Sequence, residues 1–258
     1  MRGQRSWIGI FAILLALGGT AAAESVRITN GEWPPFTSEQ LPNGGLLSRI
    51  VAEAFALEGV TVEYGYFPWK RSYELAKSGR WDGSVGWAPS AEHLRDFLMS
   101  EPVIFVGKGL YHLKGTAFDW KAIADLHRWR VGGTAGYSYG GEWDRAAKTG
   151  RLKVDEVTTD EQSIRKLLLR RIDVVAMDVD VAEYLIQTLL TPEEAASIVR
   201  HPRLLTQAPI CLALSRQSTR SAGLLPLFNR GLQRLKESGK YNQYIGQADR
   251  GGRAPKTQ

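Results

Sequence analysis

Pro102-Val103-Ile104-Phe105-Val106-Gly107-Lys108-Gly109-Leu110-Tyr111-His112-Leu113 is an extended, largely apolar run, well beyond the about five to six residues of an ordinary strand. A second extended stretch lies near 203–214. Before, between and after them, strand and helix patterns alternate. Residues 26–30 predict a strand, and Leu46, Leu47, Ile50, Val51, Ala54 and Phe55 recur at helical spacing until Gly59. Val60, Val62, Tyr64 and Tyr66 alternate as in a strand. A helix over 70–78 and a short strand over 83–87 follow. Beyond the long run come strands near 130–131, at 152–157 and at 173–177, with helices at 142–148, 160–171 and 179–190. A last long helix covers 224–237. Such alternation with short connections predicts an α/β fold of open sheets flanked by helices. Two long extended stretches, one outgoing and one returning, predict two lobes joined by a two-stranded hinge. The lobes are expected to be 24–108 with 206–258, and 109–205. Ligands of α/β folds bind beyond the carboxyl ends of strands, so the loops after Asn30, Tyr66, Trp87, Val131 and Met177 are the places to look.

The composition narrows the function. The chain has 258 residues, 33 Lys+Arg, 27 Asp+Glu and a formal charge of +6. Arg2 and Arg5 precede an apolar run from Trp7 to Leu17 and then Ala21-Ala22-Ala23, the layout of a secretory signal peptide cleaved after residue 23. That run is shorter than the ~20 apolar residues of a membrane span. The residual charge is small and dispersed, which argues against nucleic acid as a partner. Secretion without an anchor points to the periplasm. The one cysteine, Cys211, sits among Pro209, Ile210, Leu212 and Ala213 and reads as a buried strand residue rather than a nucleophile. The four histidines are scattered and no nucleotide-binding fingerprint occurs, so no cofactor or metal is expected.

Several strand-end segments carry a family resemblance. The run Ile28-Thr29-Asn30-Gly31-Glu32-Trp33-Pro34-Pro35-Phe36, then Gly44-Gly45, resembles the opening of the family 3 periplasmic solute-binding proteins. The likeness continues through Trp69, the Gly79-Arg80-Trp81-Asp82-Gly83 turn and Ser100-Glu101-Pro102-Val103. It resumes at 131–136, at Asp173-Val174-Val175-Ala176-Met177-Asp178 and at Gly239-Lys240-Tyr241. It implies a two-lobed flytrap of the periplasmic-binding-protein type, a monomer that captures a small molecule, mainly an amino acid, for the permease of an ABC importer.

Carried over position by position, the resemblance places Trp33 and Trp69 as aromatic walls, whose indole faces offer apolar area and cation–π attraction. Asp178 matches the carboxylate that holds a ligand's ammonium, at a cleft mouth with water access. Tyr137 and Ser138 match a turn whose backbone N–H groups can hold a carboxylate. Other positions depart from the pattern. The carboxylate-binding Arg of amino-acid binders, seven residues before a Ser or Thr, is replaced by His93, with Arg95 two residues on. The Ser pair before it is replaced by Gly86 and Trp87. A neutral imidazole cannot fork onto a carboxylate as a guanidinium does. Either Arg95 reaches the site or the ligand is not a standard α-amino acid.

Three other readings compete. Asp178 could serve only as the cap of the helix that follows it. Gly136-Tyr137-Ser138-Tyr139-Gly140 fits the G-x-S-x-G elbow of serine hydrolases, with Asp173 or Asp178 and His201 in the right chain order. Against it stand Gly132 to Ala135, expected to separate the elbow from its strand, and the bulky Glu142-Trp143 after it. A flytrap enzyme resembling dehydratases could pair Asp178 with His93 as acid and base.

Overall fold

The computed structural model describes residues 24–251, so the expected signal peptide lies outside the described residues. The chain runs β1 (Glu24–Asn30), α1 (Leu46–Ala56), β2 (Val60–Tyr66), α2 (Trp69–Lys77), β3 (Gly83–Trp87), α3 (Ala91–Asp96), β4 (Phe97–Met99) and β5 (Ile104–Leu113). It continues through β6 (Val131–Thr134), α4 (Gly141–Lys148), β7 (Val154–Val157), α5 (Asp160–Leu168), β8 (Val174–Asp178), α6 (Val179–Leu189) and α7 (Pro192–Ser197). The remaining elements are β9 (Ile198–Ser215), α8 (Ser221–Glu237) and α9 (Lys240–Gly251). The fold is α/β, as the alternation predicts.

The strands follow one hydrogen-bonded path, β2-β1-β3-β9-β5-β8-β6-β7, with β4 also on β9. The first half of that path is parallel through β2, β1 and β3, and its Val26, Ile28, Val85, Leu212 and Leu214 pack on Leu47, Ile50, Phe55, Phe228 and Leu232 of α1 and α8. These helices show their apolar residues at three- and four-residue spacing, which is why they lie on the sheet. In the second half, β6 pairs in parallel with β7 and β8, and β8 runs antiparallel to β5. One face of that half carries Leu110, Val131, Val174 and Ala176 with Trp120 and Trp143. The other carries Tyr111, Val175 and Met177 with Ile164 and Leu167. Alternate residues of one strand thus feed two cores, the period-two rule of a sheet covered on both faces.

The join between the halves decides where the site is. Residues 211–214 of β9 pair with β3, and 108–112 of β5 pair with β8. Between these ladders, Ile104 faces Ile210, Phe105 faces Pro209, Val106 faces Ala208 and Gly107 faces Gln207, with no third strand beside them among the described residues. The halves are two ladders joined by two strands, as the two extended stretches suggested. They share β9 and meet through a short antiparallel ribbon.

Several elements differ from the sequence reading. β9 extends back to Ile198, five residues before the expected start, because its early part pairs with β5 through Leu113. The helices α3, α7 and α9 and the short β4 are additional. α5 stops at Leu168, and Arg170 beyond it has φ +54°. Gly132, Gly133 and Thr134 do not separate an elbow from its strand: they are strand β6, paired with β7.

Candidate functional site

A cleft of about 450 Å³ opens where the carboxyl ends of β1, β3, β6 and β8 converge on the ribbon. Its floor is one face of that ribbon and of the β5–β9 pair just beyond it, Val106 and Lys108 from β5 with Thr206, Ala208 and Ile210 from β9. These are alternate residues on facing strands, so the period-two geometry alone places them on one side. Phe105, of opposite parity, is 60% exposed.

One wall is aromatic. Trp33 follows β1 in a tight loop, its N–H donating to Thr37 O at 2.7 Å, while Thr37 Oγ1 donates to Gly31 O. Trp69 opens α2, and its indole meets Trp33 edge-on with ring centroids 6.4 Å apart. Trp87 ends β3 and meets Trp69 edge-on at 5.4 Å, and its Nε1–H donates to Ser84 Oγ at 2.8 Å. Such T-shaped contacts put ring edges on ring faces, the favoured quadrupole arrangement. Trp69 fits only because two glycines flank it. A Cβ on Gly31 would stand 2.4 Å from its ring and one on Gly86 2.8 Å, and Gly86 also holds φ +100° at a bulge in β3. Gly86 thus makes room for an indole.

His93 lies on α3 against Trp87, with ring centroids 5.2 Å apart, and its Nδ1 sits 2.6 Å from Ala88 O. A carbonyl only accepts, so Nδ1 carries the proton in that contact and a neutral ring keeps Nε2 as an acceptor. Arg95 does not reach the cleft. It is 67% exposed, paired with Asp96 and near Glu92, because α3 turns its side chain onto the outer surface. Asp96 itself accepts from Tyr73 and Lys77 as well. These donors hold its carboxyl well below the usual carboxylate range.

The opposite wall is the turn after β6 and the end of β8. Asp178 lines the cleft, but it is 1% exposed rather than open to water. Its Oδ1 is ion-paired with Lys108 Nζ, from the residue directly opposite it in the β5–β8 ladder. Its Oδ2 is buried with no partner. The side chain makes no capping bond to α6, so the reading of Asp178 as a cap fails. Lys108 also sits over the Tyr137 and Tyr139 rings, 5.9 and 5.7 Å from their centroids. Behind them Thr134 Oγ1 donates to Asp160 at 2.5 Å. Burial raises the Asp160 pKa, and the Asp178 charge adds to the rise. Burial likewise pushes the Tyr137 and Tyr139 phenols up.

Tyr137 and Ser138 border the cleft at the turn leading to α4. Ser138 Oγ donates to Asp144 Oδ2, and His201 Nε2 lies 3.2 Å from Asp119 Oδ1, beside Phe118 and Trp120. Serine and imidazole therefore each engage a different carboxylate, and no Ser–His pair forms. Cys211 is buried in β9, where burial pushes its thiol up to about 11, the inert setting expected of a core residue.

Eight of the nine candidate residues thus border one cleft, namely Trp33, Trp69, Gly86, Trp87, His93, Tyr137, Ser138 and Asp178. Arg95 does not. Sequence reasoning missed Lys108 and Thr206. The signal for Lys108 was present, a lone charge inside an apolar run and flanked by Gly107 and Gly109.

Comparison with known proteins agrees with the fold. An ancestral arginine-binding protein bound to arginine is 22% identical, with TM-score 0.67 over 86% of this chain and 97% of that one. A histidine kinase sensor domain with similarity to periplasmic binding proteins is 20% identical, with TM-score 0.70 over 87% and 96%. A putative binding component of an ABC transporter from Wolinella succinogenes, complexed with lysine, is 20% identical, with TM-score 0.69 over 88% and 96%. At these identities the likeness is one of fold. No curated protein matches the sequence. The sequence pattern of the bacterial extracellular solute-binding proteins, family 3, matches residues 26–247, from β1 into α9, and the chain belongs to that family.

Proposed function

We propose that this protein captures a small polar solute, an amino acid or a related compound, between two lobes and presents it to the permease of an ABC importer. The lobes are 24–108 with 206–258, and 109–205, and they close about the ribbon formed by 104–107 and 207–210. The protein acts as a monomer in the periplasm after loss of residues 1–23. Among the described residues no helix is long and apolar enough to cross a membrane.

The observation that carries this reading is the cleft itself: about 450 Å³, at strand ends, with three indoles on one wall and an ion pair on the other. Size and lining suit a small organic molecule. Structural relatives bound to arginine and to lysine support a solute of amino-acid size. A serine hydrolase reading is opposed by the separate carboxylate partners of Ser138 and His201. An acid–base pair of Asp178 with His93 is opposed by the engagement of Asp178 with Lys108.

A thermal-shift screen of residues 24–258 against amino acids, amines and small organic acids tests the reading. A ligand at 100 times its Kd stabilises the folded state by about 2.7 kcal/mol. No shift with any member of the three classes, at millimolar concentration, would defeat it. Ser138→Ala separates binder from hydrolase: an esterase loses turnover of a chromogenic ester, whereas a binder has no turnover to lose.

A further inference from the structure

The wall that meets an ammonium group in the family pattern already holds one. Lys108 Nζ, supplied by the chain, is ion-paired with Asp178 Oδ1. The pair is in strand register, since Lys108 and Asp178 face each other in the β5–β8 ladder, so it is built into the fold rather than made by a wandering side chain. Lys108 is 14% exposed and lines the cleft, so its remaining donors border the solute. Asp178 is 99% buried and lines the same cleft, and its Oδ2 lacks a donor. The other carboxylate nearby, Asp160, is not in the cleft wall and accepts from Thr134.

A ligand ammonium placed on Asp178 would therefore share one buried carboxylate with a second cation. Like charges in a site shielded from water repel strongly. A hydroxyl in the same place satisfies Oδ2 and adds no charge. A carboxylate on the adjacent carbon finds Lys108 Nζ, which borders the cleft and carries the opposite charge. No arginine fork is then required, in keeping with His93 in the cleft and Arg95 on the outer surface.

We propose that Lys108 fills the ammonium position from within, so that the cleft selects 2-hydroxy carboxylates over 2-amino acids, the hydroxyl donating to Asp178 Oδ2 and the carboxylate accepting from Lys108. This rests on the solute-binding reading and names the solute class of that same site.

Calorimetric titration with matched triplets tests it, each triplet holding an amino acid, its 2-hydroxy counterpart and its 2-unsubstituted counterpart. Suitable sets are phenylalanine, 3-phenyllactate and 3-phenylpropanoate; leucine, 2-hydroxy-4-methylpentanoate and 4-methylpentanoate; and glutamate, 2-hydroxyglutarate and glutarate. The expected result is that, in at least one set, the hydroxy acid binds at least tenfold more tightly than both partners. In Lys108→Met/Asp178→Asn, which leaves no buried charge unpaired, that preference should shrink to within threefold. In every set that binds, an amino acid held as tightly as its hydroxy partner overturns the role of Lys108. Equal binding of hydroxy and unsubstituted acids overturns the role of Asp178, and a preference that survives in the double variant overturns both. If no triplet member binds, this inference is lost. The solute-binding reading then stands where another compound of the thermal-shift screen stabilises the protein, and fails where none does.

Discussion

Gly86 shows how one missing side chain shapes a cleft wall. Its φ of +100° is costly for any residue with a Cβ, and that Cβ would press on the Trp69 ring at 2.8 Å. Gly86→Ala should lose about 1–3 kcal/mol of stability by urea denaturation. It should also weaken the best ligand of the screen at least tenfold, as the Trp69 ring is displaced from its place in the cleft wall. The nearby Asp96 provides a pH test. Its folded pKa is depressed by Tyr73, Lys77 and Arg95, so its contribution is full above the ordinary carboxylate pKa. That contribution disappears as pH falls through the depressed value. Asp96→Asn should therefore lower the thermal midpoint at pH 7, and the gap from wild type should narrow toward pH 3. Single residues were legible in the sequence where position sufficed: Trp33, Trp69 and Trp87 stand at strand ends whatever their neighbours do. Arg95 was misplaced because the side a side chain leaves depends on α3, a six-residue helix without a clear apolar stripe. The Asp178 environment was illegible for another reason. Its partner lies 70 residues away, and only strand register brings the two together.

At the scale of elements, β5 and β9 carry most of the argument. The first was readable as an extended run, and the second only in part. Pro202, Pro209 and the charged Arg200 and Arg203 interrupt the apolar pattern of β9, and it is the pairing with β5 that holds its early part extended. The G-x-S-x-G turn failed as an elbow even though its strand runs up to Thr134, since the partners of Ser138 and His201 were set by α4 and by Asp119, beyond the reach of chain order. A register-built ion pair makes its own forecast. Lys108→Met leaves Asp178 buried without a partner, a change that costs about 3–5 kcal/mol. Replacing both residues, Lys108→Met with Asp178→Asn, should recover more than half of that loss in urea denaturation. If the single and double variants are equally unstable, the ion pair is not what Lys108 contributes to the fold.

For the whole molecule, the proposed closure would link occupancy to stability and shape. With about 2–4 °C of thermal midpoint per kcal/mol in a chain of this size, a ligand at 100 times its Kd should raise the midpoint by about 5–10 °C. Small-angle scattering should show the radius of gyration falling or holding on saturation, and an increase would contradict closure. The fold class was legible because α/β alternation is written in local periodicity, and the family pattern reinforces it over 26–247. The ribbon has a further consequence. Val106, Ala208 and Ile210 are at once part of the cleft floor and part of the two strands that, among the described residues, tie the halves together there. In the closure proposed above, recognition and flexure draw on one set of side chains. Substitutions at those floor positions should then alter the rate of opening along with the choice of guest.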